Sequence, residues 1–93
     1  MSEQSTQFQV FAYPNPVKDD ILKVELSAGE EVNVAVTLKD ISGKVVRRDA
    51  IFFRPLIGTR KHEMNVNHLP SGVYLLTVSH PRSTSHKKIV ISR

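Results

Sequence analysis

The chain contains no cysteine and no tryptophan. Without cysteine there is no disulfide, no thiolate nucleophile and no zinc–thiolate site, so the core alone must hold the fold, in whatever compartment it resides. No apolar stretch approaches the roughly 18 residues that would mark a transmembrane helix. Gly29, Gly43, Gly58 and Gly72 stand singly, which leaves no Gly-rich loop to cradle a phosphate. Aromatic residues make up only 6% of the chain, and none is interleaved with the basic residues near its end. Stacking platforms for nucleic acid are therefore missing despite a pI of about 9.7. The six aromatics fall mostly at inward-phased positions, which also argues against a sugar-stacking surface.

What remains is enough for one small domain. Ninety-three residues with 40% hydrophobic content can build a core and are too apolar for a disordered tail. The net charge of +4 is unevenly placed. Residues 1–79 hold nine Lys/Arg and nine Asp/Glu, which cancel. Residues 80–93 hold Arg82, Lys87, Lys88 and Arg93 and no acid. Such a stretch is either an edge made basic against aggregation or a docking surface for an acidic partner. Met1–Gln7 is polar, carries an acid and lacks the features of a signal peptide. Either the protein is cytoplasmic or this is an excised piece of a longer exported protein; residues 1–7 read as a linker remnant or cloning residues, and residues 8–93 as the domain.

Turn signals recur at sandwich-like intervals. A first strand over 8–13 is stopped by Pro14-Asn15-Pro16, which cannot continue a ladder. Residues 20–26 place Leu22, Val24 and Leu26 on one face. Ala28 to Glu31 turns the chain. The clearest alternation is Val32, Val34, Val36 and Leu38 against Asn33, Thr37 and Lys39. Asp40-Ile41-Ser42-Gly43-Lys44 is a hairpin turn with Gly43 where positive φ is needed. Residues 45–53 return, with a slip at Arg47-Arg48 that suggests a bulge. Pro55 to Thr59 is a loop, and 60–66 a fifth strand with His62, Met64 and Val66 in phase. Asn67 to Gly72 connects to strands over 73–79 and 86–92, joined through Pro81. Tyr74 suits a corner position, and Gly72 is expected to need backbone freedom. No helical period appears. The expected architecture is an all-β, seven-stranded immunoglobulin-like antiparallel sandwich, with Val34, Val36, Leu38, Tyr74, Leu76 and Val78 in its core.

No catalytic constellation emerges. His62, His68, His80 and His86 show no metal-binding spacing and read as surface residues. The adjacent pairs Asp19-Asp20 and Glu30-Glu31 point to opposite faces of a strand, so neither forms an acid–base dyad. Calcium-loop spacing is missing, and no serine lies in a nucleophile elbow. No cofactor is expected.

Four segments in order resemble the type A C-terminal sorting domain of the Bacteroidetes type IX secretion system. They are Tyr13-Pro14-Asn15-Pro16 with its spacer to Leu22, the hairpin Val36 to Val46, Leu69-Pro70-Ser71-Gly72-Val73-Tyr74 continuing to Val78, and Lys87-Lys88-Ile89-Val90-Ile91. Each alone has a bland reading: a rigid lead-in, a generic hairpin, a turn into a core strand, a basic edge. Their co-occurrence over residues 10–93 does not.

The resemblance implies a non-catalytic targeting module at the C-terminus of a larger cargo, with recognition through Pro14, Asn15, Pro16, Gly43, Lys44, Leu69, Gly72, Tyr74, Lys87, Lys88, Ile89, Val90 and Ile91. It implies that the cargo crosses the inner membrane by a signal peptide and the domain folds in the periplasm. An outer-membrane translocon, a shuttle protein and a cell-surface sortase would be its partners, with no nucleic acid and no membrane insertion. The sortase would remove the domain, in a linker N-terminal to the sandwich. An exposed last strand would also allow pairing with a second copy. The rival readings are a non-catalytic immunoglobulin-like spacer and a binding module of a secreted or surface protein.

Overall fold

The computed structural model describes residues 9–27, 32–53, 59–81 and 83–93. These form seven strands: β1 (Gln9–Tyr13), β2 (Ile21–Ser27), β3 (Val32–Lys39), β4 (Val45–Phe53), β5 (Thr59–Asn65), β6 (Gly72–His80) and β7 (Ser83–Ile91). No helix occurs among the described residues. The strands make two antiparallel sheets, β1-β2-β5 and β4-β3-β6-β7. The all-β, seven-stranded antiparallel sandwich is as expected. Its fourth strand pairs with β3, whereas in the constant-type immunoglobulin arrangement it lies beside the fifth. The stretches 28–31 and 54–58, read above as turn and loop, lie outside the described residues, as do residues 1–8.

Period-two patterning explains why the sheets face each other. Leu22, Val24 and Leu26 of β2 and Met64 of β5 are fully buried against Val34, Val36 and Leu38 of β3. Leu76 and Val78 of β6 and Ile89 and Ile91 of β7 complete that layer, and Tyr74 is buried beside them. Burying each such aliphatic side chain contributes about 1.5–3 kcal/mol. The six core residues expected from the sequence are all buried.

Several expectations change. The bulge is at Val46, just before Arg47-Arg48: Leu38 pairs with Arg47 but Lys39 with Val45. The extra residue lets Val46 pack on the core while Arg47, opposite Leu38, also lies on the inner side. Strand β7 begins at Ser83, because Ser83 to His86 pair with β6 despite being polar. Among the described residues the aromatics are not mostly inward. Phe11 is 56% and Phe52 44% exposed, since each alternates with a buried neighbour, Val10 and Ile51. They lie on opposite outer faces and form no shared platform.

The histidines are not all at the surface either. His80 is buried. His62 is half-buried and its Nε2 lies 2.6 Å from Asp49 Oδ2. Arg47 donates to both oxygens of Asp49 at 3.0 and 3.2 Å, and to the Asn65 carbonyl at 3.0 Å. This clasp joins β4 of one sheet to β5 of the other along one open side. Burial opposes ionisation of Asp49, but the hydrogen bonds from Arg47 and His62 outweigh it and lower its pKa.

Candidate functional site

The antiparallel register places the ends of β1, β3, β5 and β7 and the starts of β2, β4 and β6 together. The four motif segments therefore meet at one end of the sandwich.

The hairpin 40–44 is organised by Asp40. Its Oδ1 accepts from the Ser42 N–H at 2.9 Å, the Ser42 hydroxyl at 2.6 Å and the Lys44 N–H at 3.0 Å. The Ser42 hydroxyl first, then the Lys44 N–H, hold its carboxyl below the ordinary value. Gly43 sits at φ 89°, a left-handed conformation that side chains disfavour. The tight turn pushes Ile41 into solvent, where it is 85% exposed. An aliphatic tip on a self-satisfied turn has no role in the fold.

The Pro14-Asn15-Pro16 segment, with both X–Pro bonds cis, runs along the outer edge of β7. The Asn15 side chain imitates a strand: its Nδ2 donates to the Lys88 carbonyl and its Oδ1 accepts from the Val90 N–H, both at 3.0 Å. Val17 continues the pairing, donating to the Val90 carbonyl at 2.7 Å and accepting from the Ser92 N–H at 2.9 Å. The edge from Lys88 to Ser92 is thus covered, which confines augmentation at β7 to its polar first half. Val17, Ile89 and Ile91 are buried beneath.

In the third segment, Tyr74 is the corner residue expected, donating to the Pro70 carbonyl at 2.7 Å. Leu69 is buried. Gly72 does not need backbone freedom as expected. Its φ is not left-handed, and a Cβ there would meet Tyr74 Cε1 at an ordinary 3.8 Å. The sequence reading missed the part played by Arg93. Its guanidinium donates to the carbonyls of Val66, Asn67 and Leu69 at 2.6–3.0 Å, and its N–H donates to Ser71 Oγ at 3.0 Å. Its charge is used inside the fold, which leaves Lys87 and Lys88 as the exposed cations of β7 among the described residues.

Gly43, Tyr74 and Lys88 come together around a groove of about 430 Å³ with Lys39, Asp40, Ile41, Val73 and Leu75. Lys44 is exposed at its end. Val90 is half-buried on the same outer face, opposite Val73. Lys87 stands on the other side of β7, opposite Leu76, and Pro14 and Pro16 are exposed along the strand edge. Ile41, Val73 and Leu75 were not singled out from the sequence. The available signal was an aliphatic residue inside a turn and two on the outward phase of a core strand. No group of three or more metal-ligating side chains gathers among the described residues.

The arrangement defines a small β-sandwich module whose motif residues gather at one end. The chain belongs to the secretion system C-terminal sorting domain family, whose model matches residues 11–92. No curated protein matches the chain. The chain is thus a type IX secretion sorting signal, a targeting and not a catalytic domain, and it implies a parent protein exported to the cell surface or beyond.

Proposed function

We propose that this domain carries an N-terminally attached cargo through the periplasm and across the outer membrane. There a shuttle protein delivers it to a sortase that removes the domain. The observation that supports this is the convergence of all four motif segments on β7 and its flanks. Asn15 holds its edge, the 40–44 turn and β6 flank its outer face, and Arg93 fixes the loop before β6. On this reading Pro14, Asn15, Pro16, Gly43, Leu69, Tyr74, Ile89, Val90 and Ile91 shape the recognised end. Lys44, Lys87 and Lys88 present charge there, and Gly72 keeps the start of β6 slim.

The test is a fusion of signal peptide, reporter and residues 8–93 in a type IX-competent bacterium. The fusion should reach the cell surface or medium, and deletion of residues 88–93 should trap it in the periplasm. Retention of the intact fusion in the periplasm would sink the proposal and favour a spacer domain.

A further inference from the structure

The outer face of β4-β3-β6-β7 carries Lys39, Arg48, Lys88 and His86, and no acidic side chain stands on it among the described residues. Toward the motif end it also exposes Ile41, Val45, Val73 and Leu75, each at least 41% accessible. The nearby Asp40 carboxylate is engaged by Ser42 and Lys44. Contiguous exposed aliphatics rimmed by an excess of positive charge, Lys39, Lys44 and Lys88 against the turn-bound carboxylate of Asp40, mark a surface that another molecule covers. We propose that this groove, between the 40–44 turn and β6, docks an extended protein segment that alternates aliphatic and acidic side chains. The inference rests on the targeting reading and specifies the chemistry of the partner.

Charge and shape favour this occupant over the alternatives. A second copy in a two-fold contact would set the same patch against itself, opposing Lys39, Lys44 and Lys88 with their own counterparts. The groove lies open along an exposed sheet face, so it accepts a few side chains of a strand and does not bury a small molecule on most sides. Aliphatic side chains of the partner cover Ile41, Val73 and Leu75, and its carboxylates meet the lysines on either side.

The test uses the purified chain and three peptides, alternating valine with glutamate, valine with lysine, and serine with glutamate. Only the valine–glutamate peptide should perturb the methyl resonances of Ile41, Val73 and Leu75, and added salt should weaken it. Lys39→Glu with Lys88→Glu, and separately Leu75→Ser, should each lower its affinity on the order of tenfold or more with unchanged melting. Lys23→Glu on the opposite face should not. The same variants in the reporter fusion should be retained in the periplasm.

The proposal is overturned if the valine–glutamate peptide leaves those methyls unmoved, or if the lysine peptide binds equally. It is also overturned if the methyls shift with protein concentration instead, marking a dimer, or only with anionic vesicles, marking a membrane. Normal secretion of the charge-reversed fusion overturns it while leaving the targeting reading intact. Failure of the unmodified fusion removes that reading, and peptide binding still decides the surface.

Discussion

On the outer face of β1-β2-β5, Lys23 stands between Tyr13 and Glu63, and Glu25 between Phe11 and Lys61. Positive and negative residues lie opposite one another across neighbouring strands, and the Tyr13 hydroxyl donates to Glu25 at 3.0 Å. On the outer face of β4-β3-β6-β7, the corresponding rows read Arg48, Thr37, Thr77, His86 and then Val45, Lys39, Leu75, Lys88. Both faces cover one core, so folding makes the same demand of each. The first sets opposite charges against each other on neighbouring strands, which favours the folded face. The second leaves cations unanswered and aliphatics wet, features that contribute nothing to a monomer's stability. What folding does not explain on the second face is the part available for recognition.

The comparison assumes one shared core, and Val36→Asp breaks it most severely. An unpaired carboxylate at this fully buried site should cost about 4 kcal/mol or more, and both faces should lose their ordered signals in one transition on denaturation. Arg93→Gln sharpens the distinction between cations used by the fold and cations left over. It should destabilise by about 1–3 kcal/mol, because three carbonyls lose a charged donor, whereas Lys88→Gln should leave the melting point unchanged.

The turn that presents Ile41 is tested next. Gly43→Ala should cost about 1–2 kcal/mol for its left-handed φ, and Gly72→Ala should stay within about 0.5 kcal/mol. Thermal melts of the pair compare them directly.

Between the faces, the Arg47–Asp49–His62 clasp gives a pH signature. Asp49 has a lower pKa folded than unfolded, so its contribution is present above its ordinary value of 3.8. That contribution is lost as pH falls through the folded value. Wild type should therefore lose stability more steeply below that pH than Asp49→Asn, as read by denaturant midpoints across the acid range.

The smallest effect addresses the faces themselves. Lys23→Glu sets a like charge opposite Glu63 and should cost about 0.2–1 kcal/mol. Lys39→Glu with Lys88→Glu meets no acid on its face and should change stability by less than about 0.5 kcal/mol. Equal costs on both faces would remove the contrast.

Strands β2, β3 and β6 were legible in the sequence because one face of each is buried and the other wet, which writes a period of two into the residues. The start of β7 was not, since Ser83 to Lys88 are polar on both sides and carry no period. Val46 was missed by one position because a bulge puts two successive residues on the same side. The turn chemistry of Asp40 and Gly43 and the corner at Tyr74 were readable, as both are local. Gly72 was misread because glycine after proline signals a turn in general and said nothing of the φ adopted here. Arg93 could not be placed, since its carbonyl partners lie 24–27 residues away.

The bonds from Asn15 to Lys88 and Val90 span 73 and 75 residues. They have a consequence for the order in which the domain can be completed. Asn15 is made early and has no partner until almost the whole domain has been synthesised. A chain cut short before residue 88 lacks both bonds, together with the bridge to Val17 and the buried pair Ile89 and Ile91. Closing so long a loop carries an entropic cost that is met only when the last strand docks. The motif end of the sandwich is therefore completed only once β7 is in place against Asn15 and Val17.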